Sequence, residues 1–172
     1  EKGGAGPRGL GSRGSETEAA VTGGTIQCQK PYRILAMGEI LYEFFPRPMQ
    51  IPLATADTFG GYAGGAPLNF AGVARRLGAE VDLLAVVGGD PFSQSLLGSL
   101  GAEGIDCSAV RQVDEAQIGL VFHDNSAEDT HLLFYRRAAA GTFLSPQDVT
   151  EEAIRAVDLV YFPGVALQIG RS

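Results

Sequence analysis

From residue 33 onward, apolar side chains fall into short runs punctuated by glycine, proline and acidic residues, whereas residues 1–30 hold almost no large apolar side chain. Arg33-Ile-Leu-Ala-Met-Gly-Glu39 is an apolar run closed by glycine, which predicts a first strand buried on both faces. Residues 41–45 predict a second strand stopped by Pro46-Arg-Pro48, and the glycine-rich stretch 55–62 fits either strand or loop. Helical spacing begins at Pro67: Leu68, Ala71, Ala74 and Leu77 share a face, proline suits a first turn, and Gly78 is the stop. Residues 81–87 predict the next buried strand, ending at Gly88-Gly89. Asp90 then offers an N-cap and Pro91 a first-turn residue for a helix striped by Phe92, Leu96, Leu97 and Leu100.

The second half of the pattern is different. A short strand is predicted over 107–113. Residues 117–123 then alternate, with Ile118, Leu120 and Phe122 on one face, turn through polar residues 124–129 and return over 130–136. That is an antiparallel hairpin with one wet face. Ser145-Pro146 opens a further predicted helix carrying Val149, Ala153, Ile154 and Val157 on one side, and residues 158–162 form a third buried strand. Strand, excursion, helix, strand, helix is the order of a parallel α/β sheet. A doubly wound sheet normally has about five or more strands. The elements in view make roughly half of one, so the chain reads as the N-terminal part of a longer protein.

Composition splits the chain in the same place. Eight of its 24 glycines lie in the first 24 residues, and residues 1–31 read as a disordered tail that cannot bury enough area to offset its ordering entropy. The body, 32–172, holds 17 acids against 9 bases. That balance argues against a nucleic-acid groove. No apolar stretch is long enough to span a membrane. Two cysteines, Cys28 and Cys107, form neither a disulfide framework nor a zinc site, which favours a reducing, cytoplasmic compartment; an organellar address in the tail stays open.

The densest chemical signal is Phe59-Gly-Gly-Tyr-Ala-Gly-Gly-Ala-Pro-Leu-Asn69. Gly64 and Gly65 stand at a helix start, where the backbone can pass close to a ligand and first-turn amides offer donors. Asn69, about one turn in, can donate to and accept from a hydroxyl, a pairing that suits a polyol. A plain glycine turn before a helix is the alternative. Glu39 and Glu43 come at the end of the first strand, where ligands gather in open α/β sheets, and each is equally readable as a surface acid. Arg136 and Arg137 face opposite sides of a strand end, so one can meet a ligand while the other is solvated. His123 and His131 flank the hairpin turn and read as surface residues rather than metal ligands. Gly60 to Gly65 does not give the G-x-G-x-x-G spacing, no Walker motif or G-x-S-x-G occurs, and no lysine follows Lys30.

Together these stretches resemble the ribokinase-like (PfkB) carbohydrate kinase family. The residues that carry the resemblance are Gly38-Glu39, Gly64-Gly-Ala-Pro-Leu-Asn-Phe-Ala71, Ala74-Arg-Arg-Leu-Gly78, Val86-Val-Gly-Gly-Asp90, and Phe134-Tyr-Arg136 with Ala138-Ala-Ala-Gly141. The resemblance implies a doubly wound α/β sheet with a small β lid, here incomplete, the lid coming from about 41–62 and 117–136. It implies that Gly64, Gly65 and Asn69 bind sugar hydroxyls and that Glu43 stands where the family has a sugar-contacting acid, commonly aspartate. Arg136 matches the lid arginine that faces the substrate in the fructokinase-like and 2-keto-3-deoxygluconate kinase-like branches.

The family's second signature, Asp-Thr-x-Gly-Ala-Gly-Asp, holds the catalytic base and anion hole, and nothing in this chain matches it. The resemblance therefore places no catalytic residue and no metal site here. It implies ATP and Mg2+ as cofactors of phosphoryl transfer to a sugar hydroxyl, with the isolated chain inactive. Val121 and Phe134 stand where the keto-deoxy-gluconate branch carries tyrosines, so a fructose-like hexose leads among small-molecule sugars. A pseudokinase or sugar-binding regulator of the same fold, pairing of two copies through the lid, and a nucleotide-binding α/β module are the alternatives.

Overall fold

A computed structural model describes residues 30–126 and 130–168. The expectation for the tail therefore lies outside the described residues, apart from Lys30 and Pro31. The body contains two four-stranded sheets. The first is built from β1 (Arg33–Met37), β4 (Glu80–Gly88), β5 (Val110–Val113) and β8 (Leu159–Tyr161), in the order β5-β4-β1-β8. All its pairings are parallel. The second is built from β2 (Leu41–Pro46), β3 (Phe59–Gly64), β6 (Gly119–Asp124) and β7 (His131–Tyr135), in the order β3-β2-β6-β7.

Alternation along β1 and β4 explains why their sequences are apolar without a period. Ile34 and Ala36 of β1, with Val81, Leu83, Ala85 and Val87 of β4, face α1 (Ala66–Arg76) and α2 (Pro91–Ala102). Leu35, Met37 and Leu84 face the other way, onto Leu144, Val149 and Ala153, the last of these in α3 (Glu151–Arg155). Both faces of β1 and β4 are thus covered, as in a doubly wound architecture.

Asp90 fastens the start of α2 to the segment that leads into β6. Its carboxylate accepts from Phe92 N at 3.0 Å, Ser93 N at 3.2 Å and Ser93 Oγ at 2.8 Å, the N-cap geometry predicted for it. It also accepts from Ile118 N at 2.8 Å, just before β6.

Four elements differ from expectation. The buried strand expected over 158–162 is the edge strand β8, whose Leu159 and Val160 are exposed because no further strand lies beyond it among the described residues. The ambiguous stretch 55–62 ends in strand, β3, which pairs antiparallel with β2 from Pro46↔Phe59 to Leu41↔Gly64. The strand expected over 107–113 is shorter, because Ser108 N donates to Asp106 Oδ1 at 2.7 Å and Val110 N to Cys107 O at 2.9 Å, closing a turn first. The single helix expected from Ser145 divides in two. Asp148 Oδ2 accepts from Ser145 N at 2.8 Å and Ser145 Oγ at 2.9 Å, finishing a 3-10 turn at Pro146–Asp148. Val149 is then extended, and Thr150 caps α3 by accepting from Ala153 N.

Candidate functional site

The second sheet divides its side chains by parity. On one face Tyr42, Phe44 and Phe122 form an aromatic cluster with Phe92 of α2 and Phe59. The opposite face carries Leu41, Glu43, Phe45, Tyr62, Gly64, Gly119, Val121, His123, Phe134 and, just past β7, Arg136. Register puts Gly64, Leu41 and Gly119 in one row across three strands, with Arg136 beyond. Strands lie ~4.8 Å apart, so this row spans on the order of 14 Å at the base of the sheet.

Gly64 and Gly65 join that row to α1. Gly65 has φ +104°, and a Cβ on it would lie 2.7 Å from Glu39 O and 3.0 Å from Ile40 Cα. The chain can therefore turn into the helix only with glycine here. Gly64 is bare for another reason: the Glu43 side chain lies across it. Glu43 Oε1 accepts from Gly65 N at 3.1 Å, and its Oε2 is 3.0 Å from His123 Nε2. His123 in turn stacks on Phe45, with ring centroids 3.9 Å apart at 20°. Asn69 is exposed one turn into α1, its backbone N–H closing the first helical bond to Gly65 O at 2.9 Å. Its side-chain amide makes no hydrogen bond among the described residues.

At the other end of the row, Arg136 Nη1 donates to Glu39 Oε2 at 2.8 Å, and the guanidinium lies 4.3 Å from the centroid of the Phe134 ring. Glu39 is only 6% exposed. Its Oε1 is buried with no hydrogen-bond partner among the described residues. Gly141 and Gly119 make room for it: a Cβ on Gly141 would come 2.7 Å from Glu39 Cγ, and one on Gly119 3.4 Å from Oε1. Burial pushes the Glu39 carboxyl above its ordinary value, against the opposing pull of Arg136. Arg137 is exposed, so the two arginines do face different surroundings.

The profile of the pfkB family carbohydrate kinases matches residues 32–170. The chain belongs to this family. A 5-dehydro-2-deoxygluconokinase of Clostridium tetani is 32% identical over 141 residues, which are 81% of this chain and 42% of that protein. A fructokinase of Solanum tuberosum is 29% identical over 135 residues, 78% of this chain and 42% of its own length. Among solved structures, a PfkB protein from a Polaromonas species superposes with a TM-score of 0.75 at 25% identity, covering 81% of this chain and 47% of that one. A 2-dehydro-3-deoxygluconokinase from Thermotoga maritima shares the fold, with a TM-score of 0.74 at 20% identity, over 81% of this chain and 43% of that one. The chain thus spans less than half the length of the relatives it matches.

Within this PfkB chain, Glu43, Gly64, Gly65 and Arg136 share one sheet face, Arg136 at the far end of the row from Gly64, with Asn69 a turn into the adjoining helix. Two readings of individual residues are corrected. Glu43 does not stand at the end of the first strand; it is in the middle of β2, and both its oxygens already have partners. His123 is not a surface residue: its side chain is 16% exposed and paired with Glu43. The signal for it was the register of β2 and β6, since Glu43 pairs with Val121 and so lies diagonal to His123. Glu39, evenly balanced between surface and site in sequence, is buried as the partner of Arg136.

Nothing among the described residues is fitted to a magnesium-bound triphosphate. No lysine follows Lys30, and no group of three or more His, Cys, Asp and Glu side chains is placed to hold a metal. What the arrangement can do is meet hydroxyls. The Asn69 amide offers both donor and acceptor, the Glu43 carboxylate keeps one lone pair on each oxygen, and Arg136 has guanidinium N–H groups beyond the one given to Glu39.

Proposed function

We propose that this chain is the sugar-binding and lid portion of an ATP-dependent sugar kinase acting on the hydroxyl of a hexose or keto-sugar acid, a fructose-like hexose first. The observation that carries this reading is a single sheet face that holds Gly64, Gly65 and Glu43 at one end of a row and Arg136 at the other, beside the exposed Asn69. In this proposal Gly64 and Gly65 let the sugar approach the backbone, Asn69 and Glu43 take its hydroxyls, and Arg136 faces it from the lid. Family membership supports ATP and Mg2+ as the phosphoryl donor and its metal. No step through them is assigned to residues of this chain.

The same proposal includes a cytoplasmic setting and pairing of two copies through the lid. The second part is supported by β7, an edge strand on which Leu132, Leu133, Phe134 and Tyr135 are all exposed.

Incubating the purified chain with ATP, Mg2+ and a panel of sugars tests both parts. The expected result is a thermal shift with D-fructose and no ATP consumed above a blank. Turnover would overturn the claim of inactivity, and no response to any sugar would overturn the sugar site.

A further inference from the structure

Glutamate at position 43 has one more rotatable bond than the aspartate common in this family. A longer carboxylate reaches further but is harder to hold, since each free rotor adds conformational entropy that binding must then remove. In this chain the side chain is held at both ends of its carboxylate. Oε1 takes the Gly65 N–H at 3.1 Å and Oε2 meets His123 Nε2 at 3.0 Å. The imidazole is itself fixed flat against Phe45, which packs edge-on with Tyr62 at a centroid distance of 5.8 Å. The contact spans 80 residues of sequence and ties β6 to the turn before α1 through one carboxylate.

We propose that His123 is a positioning residue: it fixes the Glu43 carboxylate on the Gly65 amide, so that the lone pairs left over point in one set of directions. The consequence for sugar affinity rests on the function proposed above; the fixing of Glu43 does not. A histidine that merely filled space against Phe45 would be replaceable by any flat ring. A histidine that orients Glu43 is replaceable only by a side chain that carries a donor to the same point. Glutamine does so, because its Nε2 reaches about as far from the backbone as the imidazole Nε2. Phenylalanine keeps the stack and the volume and has no donor.

The test compares His123→Gln with His123→Phe in the 172-residue chain. The Gly65 amide is followed by its nitrogen–proton resonance and hydrogen exchange, and D-fructose binding by calorimetric titration. In the phenylalanine variant Gly65 protection is expected to fall roughly tenfold as Glu43 swings free. D-fructose affinity is expected to fall about tenfold with it. The glutamine variant keeps both within about twofold. If the phenylalanine variant does not fold, His123→Asn, whose amide stops short of Glu43, makes the same comparison. An unchanged Gly65 amide in the donor-less variant, or a glutamine variant as impaired as the phenylalanine one, overturns the proposal. If the parent chain binds no D-fructose, the functional reading fails, and the Gly65 comparison still decides the role of His123.

Discussion

Replacing Gly64 by alanine puts a methyl group where Glu43 already lies. The new Cβ would fall 2.1 Å from Glu43 Oε1, 2.4 Å from Cδ and 2.6 Å from Cγ. The β3 backbone is held by its pairing with β2 up to Leu41↔Gly64, so the flexible glutamate gives way rather than the strand. Its carboxylate then leaves both the Gly65 N–H and His123 Nε2. A hydrogen bond to a charged group contributes roughly 1.5–3 kcal/mol. These groups keep some access to water, so the net loss for the pair should be about 1–2 kcal/mol. That corresponds to a fall of about 2–8 °C in Tm.

Gly98→Ala is the matched control. Gly98 lies within α2 and a Cβ there meets nothing within 4 Å. The same chemical change should therefore stabilise by about 0.5–1 kcal/mol through helix propensity. Urea titrations of both variants read the difference in sign, and D-fructose titrations read the consequence. Affinity should fall at least about tenfold for Gly64→Ala and stay unchanged for Gly98→Ala. A Gly64→Ala chain as stable as its parent and binding D-fructose equally would refute the reasoning.

Three further outcomes follow from the charged groups. Burial raises the folded-state pKa of Glu39 above its ordinary 4.5, so the stability linked to its proton is full below that value and is lost as pH rises through the folded pKa. Urea midpoints taken across pH just above 4.5 should therefore fall in the parent and be flatter in Glu39→Gln. Asp148 behaves in the opposite way: the hydrogen-bonded Arg111 guanidinium holds it down from 3.8 to about 2, so its contribution is complete above 3.8 and lost as pH falls through about 2. Asp148→Asn should cost about 1–2 kcal/mol near neutral pH, after allowance for the exposed arginine, and the difference should close towards the acid end of the titration. Asp90→Ala removes the α2 cap and leaves Ile118 N without its acceptor, and denaturant titration should show a loss of about 2–3 kcal/mol.

Much of this fold is legible in sequence because local pattern and tertiary environment agree. β1 and β4 are apolar without alternation because both sheet faces are covered, and α1 and α2 carry their stripes, first-turn prolines and, for α2, the Asp90 cap. β3 was obscure for a physical reason: Phe59-Gly-Gly-Tyr-Ala-Gly64 has too few side chains to show a period. Its conformation is set by pairing with β2 rather than by its own residues. The helix expected from Ser145 failed because Asp148 turns back on Ser145 and ends the first turn.

The site divides along the same line. Gly64, Gly65 and Asn69 form one local motif, readable at once. The partners of the acids are remote: Arg136 meets Glu39 from 97 residues away and His123 meets Glu43 from 80. Such contacts depend on strand order and register, neither of which a run of residues displays. His123 looked like a turn-flanking surface residue only because nothing in its neighbourhood in sequence points to Glu43.

The most direct test of the sugar-side assignment is a D-fructose titration of the nitrogen-labelled chain, followed amide by amide. Saturating shifts at Gly64, Gly65 and Asn69, accompanied by changes at Glu43 and Arg136, are the predicted result. Shifts confined to the aromatic face around Tyr42, Phe44 and Phe122, or no saturating shift with any sugar, would contradict it.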